Sequence, residues 1–118
     1  MNLISGLILA LIVILVLHLL EEIKTGFRHR LPVGKMPLPV FLGINITIYI
    51  FCAFTLFLSM SGSNLAIPFV WIFAMAMSLN GLGHIGMMAY KRSYFPGGVT
   101  AFLLVLVGIV LLAHLIAN

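Results

Sequence analysis

The sequence predicts an all-α protein, a four-helix transmembrane bundle, on three observations: 64% of its 118 residues are hydrophobic, 7% are charged, and the apolar residues fall into four long runs. At a mean hydropathy of +1.31, a water-soluble domain would lack the polar residues to cover its surface, whereas a lipid-embedded one has no such need. Spanning hydrocarbon takes about 20 apolar residues per helix, and Leu3–Leu20, Leu38–Met60, Leu65–Tyr90 and Val99–Ala117 all qualify. Helices are preferred to barrel strands, which alternate lipid-facing and lumen-facing residues over about ten positions, because these runs are continuous. The expected organisation is a single membrane domain over residues 1–118, with helices at about 3–23, 38–60, 65–90 and 98–117.

The first run has no positive residue ahead of it, and His18-Leu19-Leu20-Glu21-Glu22 follows where a small-residue cleavage site would stand, so it reads as a retained helix and not a signal peptide. The loop from Lys24 to Pro37 contains Pro32, Gly34 and Pro37, with Pro39 just beyond, which predicts a path ordered by turns. This loop also holds His29, and its Phe27 and Arg28 are expected at headgroup level. Its basic residues read first as topology determinants and second as contacts to anionic membrane lipid. The second and third helices are joined by the uncharged Ser61-Gly62-Ser63-Asn64, and Pro96-Gly97-Gly98 after Tyr94 predicts a sharp turn before the fourth helix.

Every Lys and Arg lies in one of two loops: Lys24, Arg28, Arg30 and Lys35 after the first helix, Lys91 and Arg92 after the third. The positive-inside rule then puts both basic loops in the cytoplasm and both termini on the non-cytoplasmic side of what is expected to be a prokaryotic plasma membrane. The same explanation covers the net charge of +4 and the pI near 9.7, so nucleic acid is not an expected partner. A single cysteine, Cys52, excludes an internal disulfide and any multi-cysteine metal site. No internal repeat is visible, since Glu21-Glu22 has no counterpart in the second half, and transporter-like symmetry is absent from the sequence. A unit this small is compatible with a homo-oligomer or a larger membrane complex.

Glu21 and Glu22 are the only acidic residues in the chain. An ionisable group at membrane depth costs at least about 2.5 kcal/mol on insertion scales, falling towards the interface, so a partner or a function must offset it. His18 lies three and four residues before them, which on a helix brings both carboxylates beside the imidazole's face. The two carboxylates themselves point about 100° apart, so one is expected to face the site and the other a neighbouring helix or loop. The third helix places Asn80 and His84 on one face among Gly81, Gly83 and Gly86, glycines that allow a backbone or ligand to come close. The second helix adds Asn45, with Cys52 two turns away on the same side. Counting from the basic loops at 1.5 Å per residue, His18, His84 and Asn45 fall at one depth, roughly 10 Å inside the boundary. His114 belongs to the opposite side and is expected at the interface.

His18-Leu19-Leu20-Glu21-Glu22 near the end of a first membrane helix, Asn80-xxx-His84 in a later one, and Tyr94-Phe95-Pro96-Gly97 before the last resemble the HXXEE-domain family over nearly the whole chain. The resemblance implies a small integral membrane protein and a set of candidate site residues, and no established activity.

Four readings of these residues follow. In the first, a metal-dependent membrane enzyme acts on a lipophilic substrate, with zinc or non-haem iron held by His18, Glu22 and His84. Glu21 is then a fourth ligand or the catalytic general base for metal-bound water, while Asn80 and Asn45 hydrogen-bond around the cofactor. His-x-x-Glu-Glu is neither the zincin motif nor the Glu-x-x-His of di-iron bundles. The second reading is proton-coupled transport through Glu and His. The third is haem between paired histidines, with Met77, Asn80, His84 and Met88 forming one stripe. The fourth is a structural cluster that holds the helices of a small subunit together. Tyr49, Tyr90, Tyr94 and Trp71 read as packing or interface residues, of which Tyr90 and Tyr94 are close enough to the site to concern it.

Overall fold

The computed structural model describes residues 2–31 and 34–117, and among them the chain is all-helical. Four long helices follow in order, α1 Leu3–Thr25, α2 Leu38–Met60, α3 Ala66–Lys91 and α4 Gly98–Ala117, with a single 3-10 turn at Phe27–His29. All four are long and apolar enough to cross a membrane. Large apolar side chains cover their outer faces, among them Val13, Leu17 and Leu20 on α1, Ile46 and Ile50 on α2, and Leu103 and Leu106 on α4. Such surfaces are stable against alkyl chains and not against water.

The helix ends obey local chemistry. Asn2 caps α1 by accepting the Ser5 N–H at 2.8 Å. At its other end α1 runs to Thr25 and stops at Gly26, whose N–H returns to the carbonyls of Glu22 and Ile23. The following loop is closed by the Met36 N–H on the Arg28 carbonyl at 2.7 Å and by the Gly34 N–H on Leu31 at 3.1 Å. Pro32, one of the residues expected to shape it, lies outside the described residues. Pro37 and Pro39 open α2, where missing N–H donors cost nothing.

Helix α4 packs most closely against α3 and then α1, while α2 makes looser contacts with α1 and α3. The fully buried core includes Ile8, Leu11, Phe73, Leu104 and Leu111, with Cys52 among them. The intimacy of α3 with α4 comes from small residues: a Cβ on Gly81 would stand 2.6 Å from the Ala101 carbonyl oxygen and from Val105. Gly108 lies in the same way against Ser78, whose hydroxyl turns back to the Ala74 carbonyl at 2.8 Å. Gly81→Ala is therefore expected to destabilise the bundle by about 1–3 kcal/mol, seen as a lower melting temperature in detergent. Gly83→Ala, whose Cβ would meet nothing within 4 Å, is expected to be neutral, and equal melting of the two variants would refute the close-approach account.

At one end of the bundle Ser5 and Ser59 share a hydrogen bond of 2.7 Å between α1 and α2. The opposite end carries both basic loops and the buried His18, Glu22 and His84.

Candidate metal centre

His18, Glu22 and His84 converge at that end, with one ligand atom from each lying within 4.8 Å of the others. The two Nε2 atoms are 3.2 Å apart. The Glu22 Oε2 lies 3.4 Å from that of His84 and 3.8 Å from that of His18. Helix periodicity puts His18 and Glu22 on one face of α1, and α3 crosses at the depth that presents His84. All three are buried, His18 to 1% exposure, His84 to 6% and Glu22 to 8%. Cys52 lies in the core and outside this group.

The tautomers follow from the partners. His84 Nδ1 lies 2.7 Å from the Pro96 carbonyl oxygen, which only accepts, so Nδ1 carries the hydrogen. His18 Nδ1 lies 2.7 Å from Thr100 Oγ1. The single hydroxyl hydrogen of Thr100 is used on Glu21 Oε1 at 2.7 Å, so His18 Nδ1 must donate as well. Each neutral imidazole therefore turns a bare Nε2 lone pair towards the other and towards a carboxylate oxygen. With Glu22 as a carboxylate and the imidazoles in these tautomers, three electron-pair donors face one another in a buried volume, an arrangement that is unfavourable unless a proton or a metal cation joins them.

Glu21 lies on α1 about 100° round from Glu22 and takes the second of the two orientations expected for the pair. Its carboxylate reaches the first turn of α4, accepting Val99 N–H at 3.0 Å, Thr100 N–H at 2.9 Å and the Thr100 hydroxyl. Tyr94 donates its phenol to the same carboxylate. A carboxylate at a helix N-terminus satisfies orphan donors and complements the helix dipole, so Glu21 binds α4 to α1 from outside the His18–Glu22–His84 group. Burial and the hydrogen bond to Glu21 push the Tyr94 phenol above its ordinary value. Because the folded value is raised, the stability from this contact is complete below about pH 10 and lost as pH rises through the raised value. Tyr94→Phe is expected to flatten the alkaline fall in melting temperature; an unchanged fall would refute the linkage.

The connection from α3 to α4 covers the histidines. Pro96 and Gly97 form a turn closed by the Gly98 N–H on the Phe95 carbonyl at 2.9 Å, and Gly97 takes a φ of +89° that glycine adopts without strain. A side chain there would collide as well, because a Cβ would stand 2.7 Å from the Cε1 of both His18 and His84. Phe27 packs on His84 with ring centroids 5.3 Å apart, and Phe95 does so at 5.6 Å. Thr100, the Pro96 carbonyl, Gly97, Phe27 and Phe95 are site residues that the sequence reading missed. The Tyr94-Phe95-Pro96-Gly97 run is the visible signal for Phe95, Pro96 and Gly97, and Thr100 and Phe27 have none.

A cavity of about 170 Å³ adjoins the three ligand atoms, lined by His18, Glu22 and His84 and also by Asn45 and Asn80. Asn45 holds its amide on the Phe41 carbonyl at 2.8 Å. Beyond Glu22 and Phe41 a second cavity of about 210 Å³ is lined by Arg28 and His29. His29 is held below its ordinary value, first by desolvation and then by the charges of Arg28 and Lys35. Met77 is core and Met88 packs at Gly98, so the methionines of the α3 stripe serve packing. His114 is half-buried in the last turn of α4, at the far end.

A family model described as "Protein of unknown function with HXXEE motif" matches residues 9–112. No curated protein and no solved structure matches the chain.

Proposed function

We propose that this chain, which belongs to the HXXEE family, is a metal-dependent membrane enzyme whose zinc or iron is held by His18, Glu22 and His84 and whose substrate is lipophilic. The observation that carries this reading is the meeting of three electron pairs, each imidazole fixed in the right tautomer by an acceptor on its other nitrogen. Metal–nitrogen bonds of about 2.0–2.1 Å at the tetrahedral angle would hold two nitrogens about 3.3 Å apart, and these are 3.2 Å apart. Two histidines and one carboxylate leave a coordination position open, as catalytic zinc and non-haem iron sites do.

In this reading the metal supplies Lewis acidity to a bound water or substrate oxygen. The chain supplies the rest. Thr100 and the Pro96 carbonyl aim the imidazoles, Phe27 and Phe95 exclude water from His84, and Asn45 and Asn80 offer amides to whatever occupies the cavity. Glu21 acts as a positioning residue, since its oxygens already accept three hydrogen bonds from Val99 and Thr100 and one from Tyr94. With the basic loops cytoplasmic, the site opens to the cytoplasmic leaflet. Elemental analysis of detergent-purified protein tests the proposal: one zinc or iron per chain is expected, and no metal in the purified protein, with none bound on titration, would overturn it.

The 3.2 Å separation favours one second reading, in which a proton takes the metal's place between the imidazoles with Glu22 as its counter-ion, as a proton-coupled transporter would use it. Proton flux in liposomes that disappears on Glu22→Gln, in protein that binds no metal, would select that reading. Haem is not favoured. Glu22 stands within 3.8 Å of both imidazole nitrogens, and ligation of haem iron by paired histidines has no use for a carboxylate there.

A further inference from the structure

The cavity beside the three ligand atoms does not stand alone. It shares Ile48 and Asn80 with a more open groove of about 420 Å³ between α2 and α3, to which Phe51, Ile72 and Ala76 contribute. On its other side it shares Glu22 and Phe41 with the cavity of Arg28 and His29. One helix forms a wall of all three spaces: α2 lines the groove at Phe51, the middle at Asn45 and the far cavity at Leu38. From Leu38 to Phe51 the helix rises about 20 Å.

Chemistry changes in order along this line. The groove is almost wholly apolar and opens on the flank where alkyl chains would lie, between two helices that pack loosely. The middle carries the two imidazoles, the carboxylate and two amides. At the far end stand Arg28, whose guanidinium also donates to the Met36 carbonyl at 3.4 Å, and His29, with Lys35 close enough to act on the imidazole. Of the chain's two acidic residues, Glu21 is engaged on α4, so Glu22 is the single carboxylate on this path.

We infer that the site takes a single-chain amphiphile with an anionic head: its tail lies in the α2–α3 groove, its head meets Arg28 and His29, and the atoms joining them pass His18, Glu22 and His84. The inference rests on the proposed enzymatic reading for its meaning as a substrate class, and on the three adjoining spaces for its geometry. The apolar groove fits an alkyl tail, and the Arg28 guanidinium at the far end selects an anion over a neutral or cationic head. Loose α2–α3 packing offers a lateral way in from the membrane.

Calorimetric titration of the full chain in a sterol-based detergent, with dodecyl phosphate as the probe, tests it. Saturable binding is expected at one per chain. Hexyl phosphate should bind at least about tenfold more weakly, as the lost apolar contact requires, and dodecanol and inorganic phosphate should each fail to compete at equal concentration. Arg28→Ala and Ala76→Trp, both outside the three ligands, are expected to weaken binding about tenfold or more while metal content stays unchanged. Equal affinity for hexyl and dodecyl phosphate would overturn the tail groove. Full competition by dodecanol would overturn the anionic head, and full competition by inorganic phosphate would reduce the site to a free-anion site. Repetition on chelator-treated protein separates the two proposals. Dodecyl phosphate binding in a chain that takes no metal sustains this inference and ends the metal reading; bound metal without dodecyl phosphate binding does the opposite.

Discussion

His84→Ala is expected to abolish stoichiometric metal binding, weakening zinc affinity by well over about 100-fold in a competition titration against a chromophoric chelator. Changes to groups that merely orient a ligand already cost 10–100-fold, and this variant removes one of three ligands. Thr100→Val supplies the sharper comparison. It keeps His18, Glu22 and His84 and deletes only the hydroxyl that accepts from His18 Nδ1 and donates to Glu21. A fall of about 10–100-fold is expected there. His84→Ala protein that binds metal as tightly as the wild type would remove the proposed centre altogether. Unchanged affinity in Thr100→Val would remove the tautomer argument while leaving the ligands in question.

The second large effect concerns Glu21. Glu21→Gln keeps shape but replaces a carboxylate that accepts from Val99, Thr100 and Tyr94 by an amide with one accepting end. Hydrogen bonds to a charged group contribute roughly 1.5–3 kcal/mol each when buried and less where water reaches them, and Glu21 is half-exposed. A total loss of about 2–3 kcal/mol is expected, measured as a lower melting temperature in detergent, with one metal per chain retained. A general base would behave otherwise: the protein would melt normally, bind metal normally and lose turnover. Glu21→Gln that is as stable as the wild type would therefore return Glu21 to the catalytic role expected from sequence and withdraw the positioning role argued from the α4 N-terminus.

The two glutamates show what can be read from neighbours along a helix. A spacing of four fixes that His18 and Glu22 share a face, and a spacing of one fixes that Glu21 and Glu22 diverge, because the helix turns about 100° per residue whatever surrounds it. Counting residues from the basic loops also brought His18 and His84 to one depth, since rise per residue is equally local. Which carboxylate turned inward was not legible, because that depends on how α1 is rotated against α3 and α4. Thr100 and the Pro96 carbonyl were hidden for a related reason. Both reach the histidines only because the α3–α4 connection folds back over them, a path set by the close docking of α4 on Gly81 and on Ser78 opposite Gly108. The contact of Phe27 with His84 was hidden in the same way, because it depends on the turn at Gly26 that brings the ring back over α3.

Apolar runs and residue spacing by themselves determined an all-helical chain with four helices able to cross a membrane, and the two polar motifs that meet near one end. These follow from backbone hydrogen bonding in an apolar solvent and from the fixed pitch of a helix, both of which act within a segment. Tertiary structure alone decided that His18, Glu22 and His84 meet atom to atom, that Glu21 serves α4, and that a turn with Gly97 closes over the imidazoles. Those outcomes depend on the rotation and approach of one helix against another, set by side-chain packing between segments far apart in the chain.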